Sequence, residues 1–162
     1  MRVRDLIRAK ADKVITVQAK DDLTTAIRLL MRHNIGGLPV LATDGSVVGI
    51  LAERDVVRAA YDKPTALDSL RVQDVIRPAP TCDADDTIRD AMHRMTAERQ
   101  RHFLVLDEGK LVGVLSVGDL VNDRLRQLEA EADQQRAMGH SQDFIEGVMA
   151  FAQKRDPDFK GH

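Results

Sequence analysis

The chain has 162 residues, 43% hydrophobic and 31% charged, a balance that supports a folded core of about one ordinary domain and argues against disorder throughout. Lys and Arg number 24 against 26 Asp and Glu, a net charge of −2; without basic clusters, this balance lacks the electrostatic footprint of a general nucleic-acid binder. Aromatics make up 3% and Trp is absent, which argues against a base-stacking platform for single strands.

Val3-Arg-Asp-Leu-Ile reads as a short lead-in helix. Leu23, Ala26, Ile27, Leu30 and Met31 recur at helical spacing behind Asp21 and Asp22, which stand where caps belong. Two apolar runs, 38–41 and 47–51, flank Asp44-Gly45 and predict a β-hairpin. A second helix begins near Glu53. Asp62-Lys63-Pro64 and Arg77-Pro78-Ala79-Pro80 mark breaks, and between them Leu70 to Ile76 reads as another short lead-in helix. The same order then returns. Ile88, Ala91, Met92 and Met95 form a helix behind Asp85 and Asp86; runs 103–106 and 111–115 flank Glu108-Gly109; a last helix of the unit starts near Val117. Further on, Val121, Leu125, Leu128 and Ala132 step by four, three and four, a short a/d seam. It is either a helix lying on its own module or a contact between subunits. Gly139 breaks that pattern. A final helix starts at Ser141, with Asp143 and Glu146 as a capping box, an apolar stripe of Phe144, Val148, Phe151 and Ala152, and Pro157 as its stop.

The two halves align almost without adjustment. Leu23 meets Ile88 at a spacing of 65 residues and Asp55 meets Asp119 at 64, with one residue dropped in the hairpin loop. Each copy reads strand–helix–strand–strand–helix over about 50 to 60 residues, too small to bury enough surface alone. Two copies in one chain are therefore expected to pack their sheets together and share a core.

The stretches His33-Asn-Ile-Gly-Gly-Leu-Pro-Val, Val48-Gly-Ile-Leu-Ala-Glu-Arg-Asp and Val112-Gly-Val-Leu-Ser-Val-Gly-Asp resemble those of CBS domains, and the tandem copies resemble a CBS pair, or Bateman module. The resemblance covers residues 1 to about 125. It implies an α+β fold of two β-α-β-β-α repeats packed as a pseudo-twofold pair, with C-terminal helices added. The expected divisions are 1–65, 66–125 and a helical tail at 126–162. It also implies a regulatory protein, not an enzyme, that binds AMP, ADP, ATP, NAD or S-adenosylmethionine in clefts between the repeats and needs no tightly held cofactor. The family's motif is complete in the second copy as Gly113, Ser116 and Asp119. The first copy keeps Gly49 and Asp55 but has Ala52 at the hydroxyl position. By motif matching, the Asp119 site draws adenine contacts from Ile15, Ile35 and Gly37, while Gly118 lets backbone approach closely. The Asp55 site uses Pro80, Thr81 and His102, with Arg54 as a phosphate partner. A carboxylate can accept from both ribose hydroxyls, and a helix start suits a phosphate. Against this stands the plain reading that Asp55, Ser116 and Asp119 merely cap helices. Ala52 is expected to weaken the first site, since one hydrogen bond contributes about 0.5–1.5 kcal/mol.

CBS pairs commonly form homodimers, with Val56, Val57, Leu120 and Val121 either at that contact or in the core. A ligand-independent dimerisation module with vestigial clefts is the alternative function, and an unidentified protein partner is expected through the tail. Residues 141–161 are also similar to the C-terminus of the enoyl-CoA hydratase (crotonase) family, which suggests a docking helix without hydratase chemistry. Other signals carry little. Gly113-Val-Leu-Ser-Val-Gly has the wrong spacing for a nucleophile elbow. The five histidines form no ligand pair, and Cys82 alone gives neither a disulfide nor a cysteine zinc cage. The charged start and the lack of any apolar run near the roughly 18 residues of a membrane span lead to the expectation of a cytoplasmic protein without membrane or nucleic-acid partners.

Overall fold

The computed structural model describes residues 1–10, 13–139 and 142–158. Two compact units are present, Met1–Leu120 and the segment from Val121 onward. The first holds both repeats. In chain order its elements are α1 (Val3–Lys10), β1 (Val17–Gln18), α2 (Leu23–His33), β2 (Gly37–Leu41), β3 (Val47–Ala52), α3 (Glu53–Asp62), two single 3-10 turns (Leu67–Ser69 and Val72–Asp74), β4 (Thr81–Asp83), α4 (Ile88–Ala97), β5 (His102–Asp107), β6 (Lys110–Ser116) and the start of α5 (Val117–Gly139).

The strands form two three-stranded sheets of identical plan, β1-β2-β3 and β4-β5-β6, the first pair parallel and the second antiparallel in each. Each hairpin carries an irregularity at the same place, between Val40 and Leu41 and between Val105 and Leu106. Alternation along the strands decides what is buried where. Leu38, Val40 and Leu51 join Leu23, Ala26 and Leu30 of α2 in one apolar cluster. Phe103, Val105 and Leu115 join Ala91 and Met95 of α4 in another. Pro39, Ile50 and Leu104, which alternate to the opposite faces, are fully buried as well. Each sheet is thus covered on both sides.

The helix-side core differs from the single shared core expected of the repeat. It is two clusters, and each is closed by the lead-in of the other copy. Val3 and Leu6 of α1 belong with Cys82, Phe103 and Leu115 of the second repeat. Leu70 and Val72 belong with Leu23 and Leu38 of the first. Backbone bonds fix the exchange: Val3 N donates to Asp86 O at 2.9 Å and Arg4 N to Ala84 O at 2.8 Å, while Val72 N donates to Asp21 O and Leu23 N to Leu70 O, both at 2.9 Å. Arg4 Nε also reaches Asp85 at 2.8 Å. The second lead-in is only a 3-10 turn, not the helix its sequence predicts.

Local capping departs from the expectation too. Asp22 is the N-cap residue of α2, yet its side chain makes no cap bond; Asp21 Oδ2 accepts from Gln18 N instead. The cap of α4 is Thr87, whose Oγ1 accepts from Asp90 N at 3.1 Å. Asp86 closes the preceding turn by accepting from Asp83 N. Helices α2 and α4 both end with a left-handed residue, Asn34 at φ 50° and Arg99 at φ 52°, and the following amide bonds back to the helix, Ile35 N to Leu30 O and Gln100 N to Met95 O. Leu120 is buried and Val56 packs against the first cluster, so these two are core, whereas Val57 is exposed.

In the second unit, α5 continues to Gly139 and α6 spans Gln142–Gln153. Val121, Leu125 and Leu128 of the seam are all exposed. Helix α6 stops at a left-handed Lys154, where Arg155 N donates to Ala150 O at 3.0 Å, ahead of the Pro157 expected to end it. Its expected stripe does not face one core: Val148 and Phe151 are exposed, and Ala150 is buried. Glu146 accepts from Arg155 and from Asp158 N; the side chains of Asp143 and Phe144 lie outside the described residues.

Candidate functional site

Strand β6 ends at Ser116 and α5 begins at the next residue, which puts Asp119 in the first turn of the helix. Ser116 N and Ser116 Oγ both donate to Asp119 Oδ2 at 2.7 Å, and Asp119 N donates to Ser116 Oγ at 3.2 Å. This reciprocal cap satisfies donors at the helix start that would otherwise lack partners. Lys10, the last residue of α1, donates to the same Asp119 Oδ2 at 3.0 Å and to Val114 O at 3.1 Å. All the recorded contacts of the carboxylate fall on Oδ2, so Oδ1 has no hydrogen-bond partner among the described residues.

Beside it lies a cavity of about 630 Å³, lined by Ile7, Lys10, Lys13, Ile15, Ile35, Gly37, His102, Gly113, Ser116 and Asp119 among others. Ile15, Ile35 and Gly37 come from the first repeat and Ser116 and Asp119 from the second, as the motif matching places them. Gly118 is exposed and absent from the wall; a Cβ there would meet only Ser116 Oγ, at 3.6 Å. A Cβ on Gly37 would approach the His102 ring at 3.3 Å, so glycine lets this wall close. Burial pushes the His102 pKa below the ordinary imidazole value, against the opposing pull of Asp119 and Glu53.

The first repeat's counterpart is filled. Asp55 lies in the first turn of α3 and is 3% exposed. Its Oδ2 accepts from Ala52 N at 2.9 Å. Arg77 then holds both oxygens, Nε to Oδ1 at 2.6 Å and Nη2 to Oδ2 at 3.2 Å. The void left there is about 60 Å³, lined by Gly36, Ala52, Glu53, Arg54, Arg77, Arg101 and His102 among others. His102 therefore stands between the two clefts and lines both. Pro80 and Thr81, expected beside Asp55, are not on the wall of this void. Thr81 pairs with Leu104 on the sheet edge and faces a separate hollow of about 670 Å³ between the hairpin ends, with Pro78, Val47 and Leu111. Pro80 O is used by Leu104 N. Thr16, the counterpart of Thr81 in the first repeat, lines the same hollow, and beside Asp55 the side chain is that of Arg77.

Lys10, Lys13 and Arg77 are absent from the sequence-derived site. Lys10 and Asp119 are 109 residues apart, and no local pattern links them. Among the described residues there is no cluster of three His, Cys, Asp or Glu that could hold a metal, and no helix long and apolar enough to cross a membrane.

A family model of the CBS domain matches residues 3–62 and 72–125. Among solved structures, the CBS-domain containing protein ATU1752 of Agrobacterium tumefaciens is 34% identical with a TM-score of 0.72, over 76% of this chain and 92% of that one. CBSX2, solved in complex with AMP, is 25% identical with a TM-score of 0.64, over 77% and 96%. A protein of Methanocaldococcus jannaschii, MJ1225, is 29% identical over 113 residues; the match takes in 68% of this chain and 39% of that protein, so the chain spans well under half of its relative. With its two matched segments and its paired sheets, the chain belongs to the CBS-domain family, as a tandem pair.

Proposed function

We propose that the chain is a regulatory module that binds an adenosine nucleotide in the Asp119 cleft. The observation that carries this reading is Asp119 Oδ1, which is unpartnered among the described residues beside a cavity of about 630 Å³ walled by both repeats. That volume lies within the range of small-ligand sites, roughly 300–1,000 Å³. An adenine ring fits between Ile15 and Ile35, the ribose diol donates to Asp119, and Lys10 and Lys13 favour an anionic phosphate end over a neutral or cationic one. CBSX2, a member of the same fold at 25% identity, was solved with AMP. Occupancy is read out through α1, because Lys10 sits at the end of a helix whose Val3, Leu6 and Ile7 pack in the second repeat's core. The crotonase resemblance expected of residues 141–161 plays no part in this reading; the CBS-domain match ends at residue 125.

Calorimetry and thermal melting with AMP, ADP, ATP, NAD and S-adenosylmethionine test the reading. A phosphate-bearing nucleotide should bind and raise the melting temperature. Asp119→Ala should weaken that binding about 30-fold or more, as loss of charge-assisted hydrogen bonds requires. Absence of binding at millimolar concentration, or equal binding by the variant, contradicts it. The exposed apolar row Val121, Leu125 and Leu128 on α5 favours a second role in self-association. Sedimentation would detect a homodimer that Leu125→Glu dissociates.

A further inference from the structure

We infer that Arg77 is a built-in occupant of the Asp55 cleft, so that the chain takes one nucleotide, at Asp119 alone. The inference rests on the nucleotide reading for the identity of the ligand and on geometry for the count.

The two carboxylates are equivalent by the repeat, and each meets a cation delivered by a lead-in segment. At Asp119 the cation is an ammonium with a single carboxylate contact on Oδ2, and both side chains are partly exposed, 33% and 17%. One oxygen and a ligand-sized cavity stay available. At Asp55 the cation is a guanidinium fork on both oxygens, with Ala52 N as a third donor. Bidentate pairs of this kind are among the stronger polar contacts in proteins. The remaining void is about 60 Å³, against about 630 Å³ beside Asp119. Withdrawing Arg77 would leave a carboxylate that is 3% exposed without its counter-charge, which is strongly unfavourable.

The backbone holds Arg77 there. Its N donates to Ile50 O at 3.3 Å and its O accepts from Ile50 N at 3.0 Å, a bridge against the outer edge of β3. The neighbouring Gly49 makes room, because a Cβ would lie 2.5 Å from Arg77 O. The sequence explains why only this copy is closed. Arg2 N is capped by Asp5 and Arg71 N by Asp74, which aligns the two lead-ins and sets Arg8 against Arg77. Arg77 precedes Pro78, and a residue before proline is pushed out of helical backbone into extended. The 3-10 turn ends at Asp74, and Arg77, three residues on, pairs with Ile50. Arg8 precedes Ala9, so α1 continues to Lys10 and Arg8 stays exposed. Ala52 completes the difference, since no hydroxyl competes for the carboxylate.

Titration of the full chain with AMP decides the count. The expected result is one equivalent per chain for the wild type, and a single equivalent weakened about 30-fold or more for Asp119→Ala. Arg77→Ala, with native circular dichroism, should gain a second equivalent at least tenfold weaker than the first. Two equivalents on the wild type, or a folded Arg77→Ala that still binds one equivalent, would each overturn the inference while leaving the nucleotide reading intact; wild-type affinity in Asp119→Ala would overturn both. A wild type that binds no AMP overturns both. The wild-type count and the loss of affinity in Asp119→Ala decide the matter even where Arg77→Ala is too unstable to titrate.

Discussion

His102 ties the two clefts together at the level of single side chains. It packs against Gly36 and Gly37, lines both cavities, and lies within the fields of Asp119, Glu53, Arg101 and Arg77. Burial is the largest influence and favours the neutral ring. Its folded pKa is therefore below the ordinary imidazole value of 6.5, so the unfolded chain binds the proton first as pH falls. The stability contributed by the neutral ring is present above about pH 6.5 and is lost as pH falls below it. Denaturant melts at pH 7.5, 6.5 and 5.5 should show a larger loss for the wild type than for His102→Gln; parallel curves would contradict this. Cys82 shows the same physics without a functional consequence. Burial and the nearby Asp86 push its thiol up to about 11, and its side chain is part of the second cluster. It behaves as the packed apolar residue that its isolated position in the sequence implies.

At the scale of elements, the exchange of lead-ins makes the two repeats interdependent. Helix α1 precedes the first repeat but buries Val3 and Leu6 in the second. Leu6→Ala should cost about 2–5 kcal/mol, the usual range for a buried leucine. Amide exchange should then accelerate in β5 and β6 more than in β2 and β3; the opposite order would contradict the exchange. Apart from the second lead-in, which is a 3-10 turn and not a helix, the element types were legible in the sequence because apolar spacing, the Asp-Gly and Glu-Gly turns and the repeat all agree. The pairing of lead-ins was not, because Val3 and Val72 carry no signal of which copy they will cover. The caps were legible only to within a residue or two: a run of acids before α4 obscured Thr87, which makes the bond. The motif residues of the Asp119 cleft were legible because the repeat aligns them. Lys10 and Arg77 were not, since each reaches its carboxylate from a distant segment, although Pro78 is a local sign that disfavours helical backbone at Arg77.

For the molecule as a whole, near-identical folds have produced unlike clefts. One is a cavity with a carboxylate oxygen still available; the other is closed by an arginine of the same chain. On the proposed reading, a chain with one open site responds to its nucleotide along a simple saturation curve, and the readout would run through the α1 contact rather than through two sites of one chain. The central claim is that the oxygen left on Asp119 accepts from a sugar diol. Competition of AMP against its 2′,3′-dideoxy analogue measures this directly, since the analogue differs only in the two hydroxyls. The account predicts that the analogue binds at least about tenfold more weakly to the wild type, as loss of hydrogen bonds to a charged acceptor requires, and that Asp119→Ala no longer distinguishes the two. Equal affinity of the wild type for AMP and the analogue would contradict it.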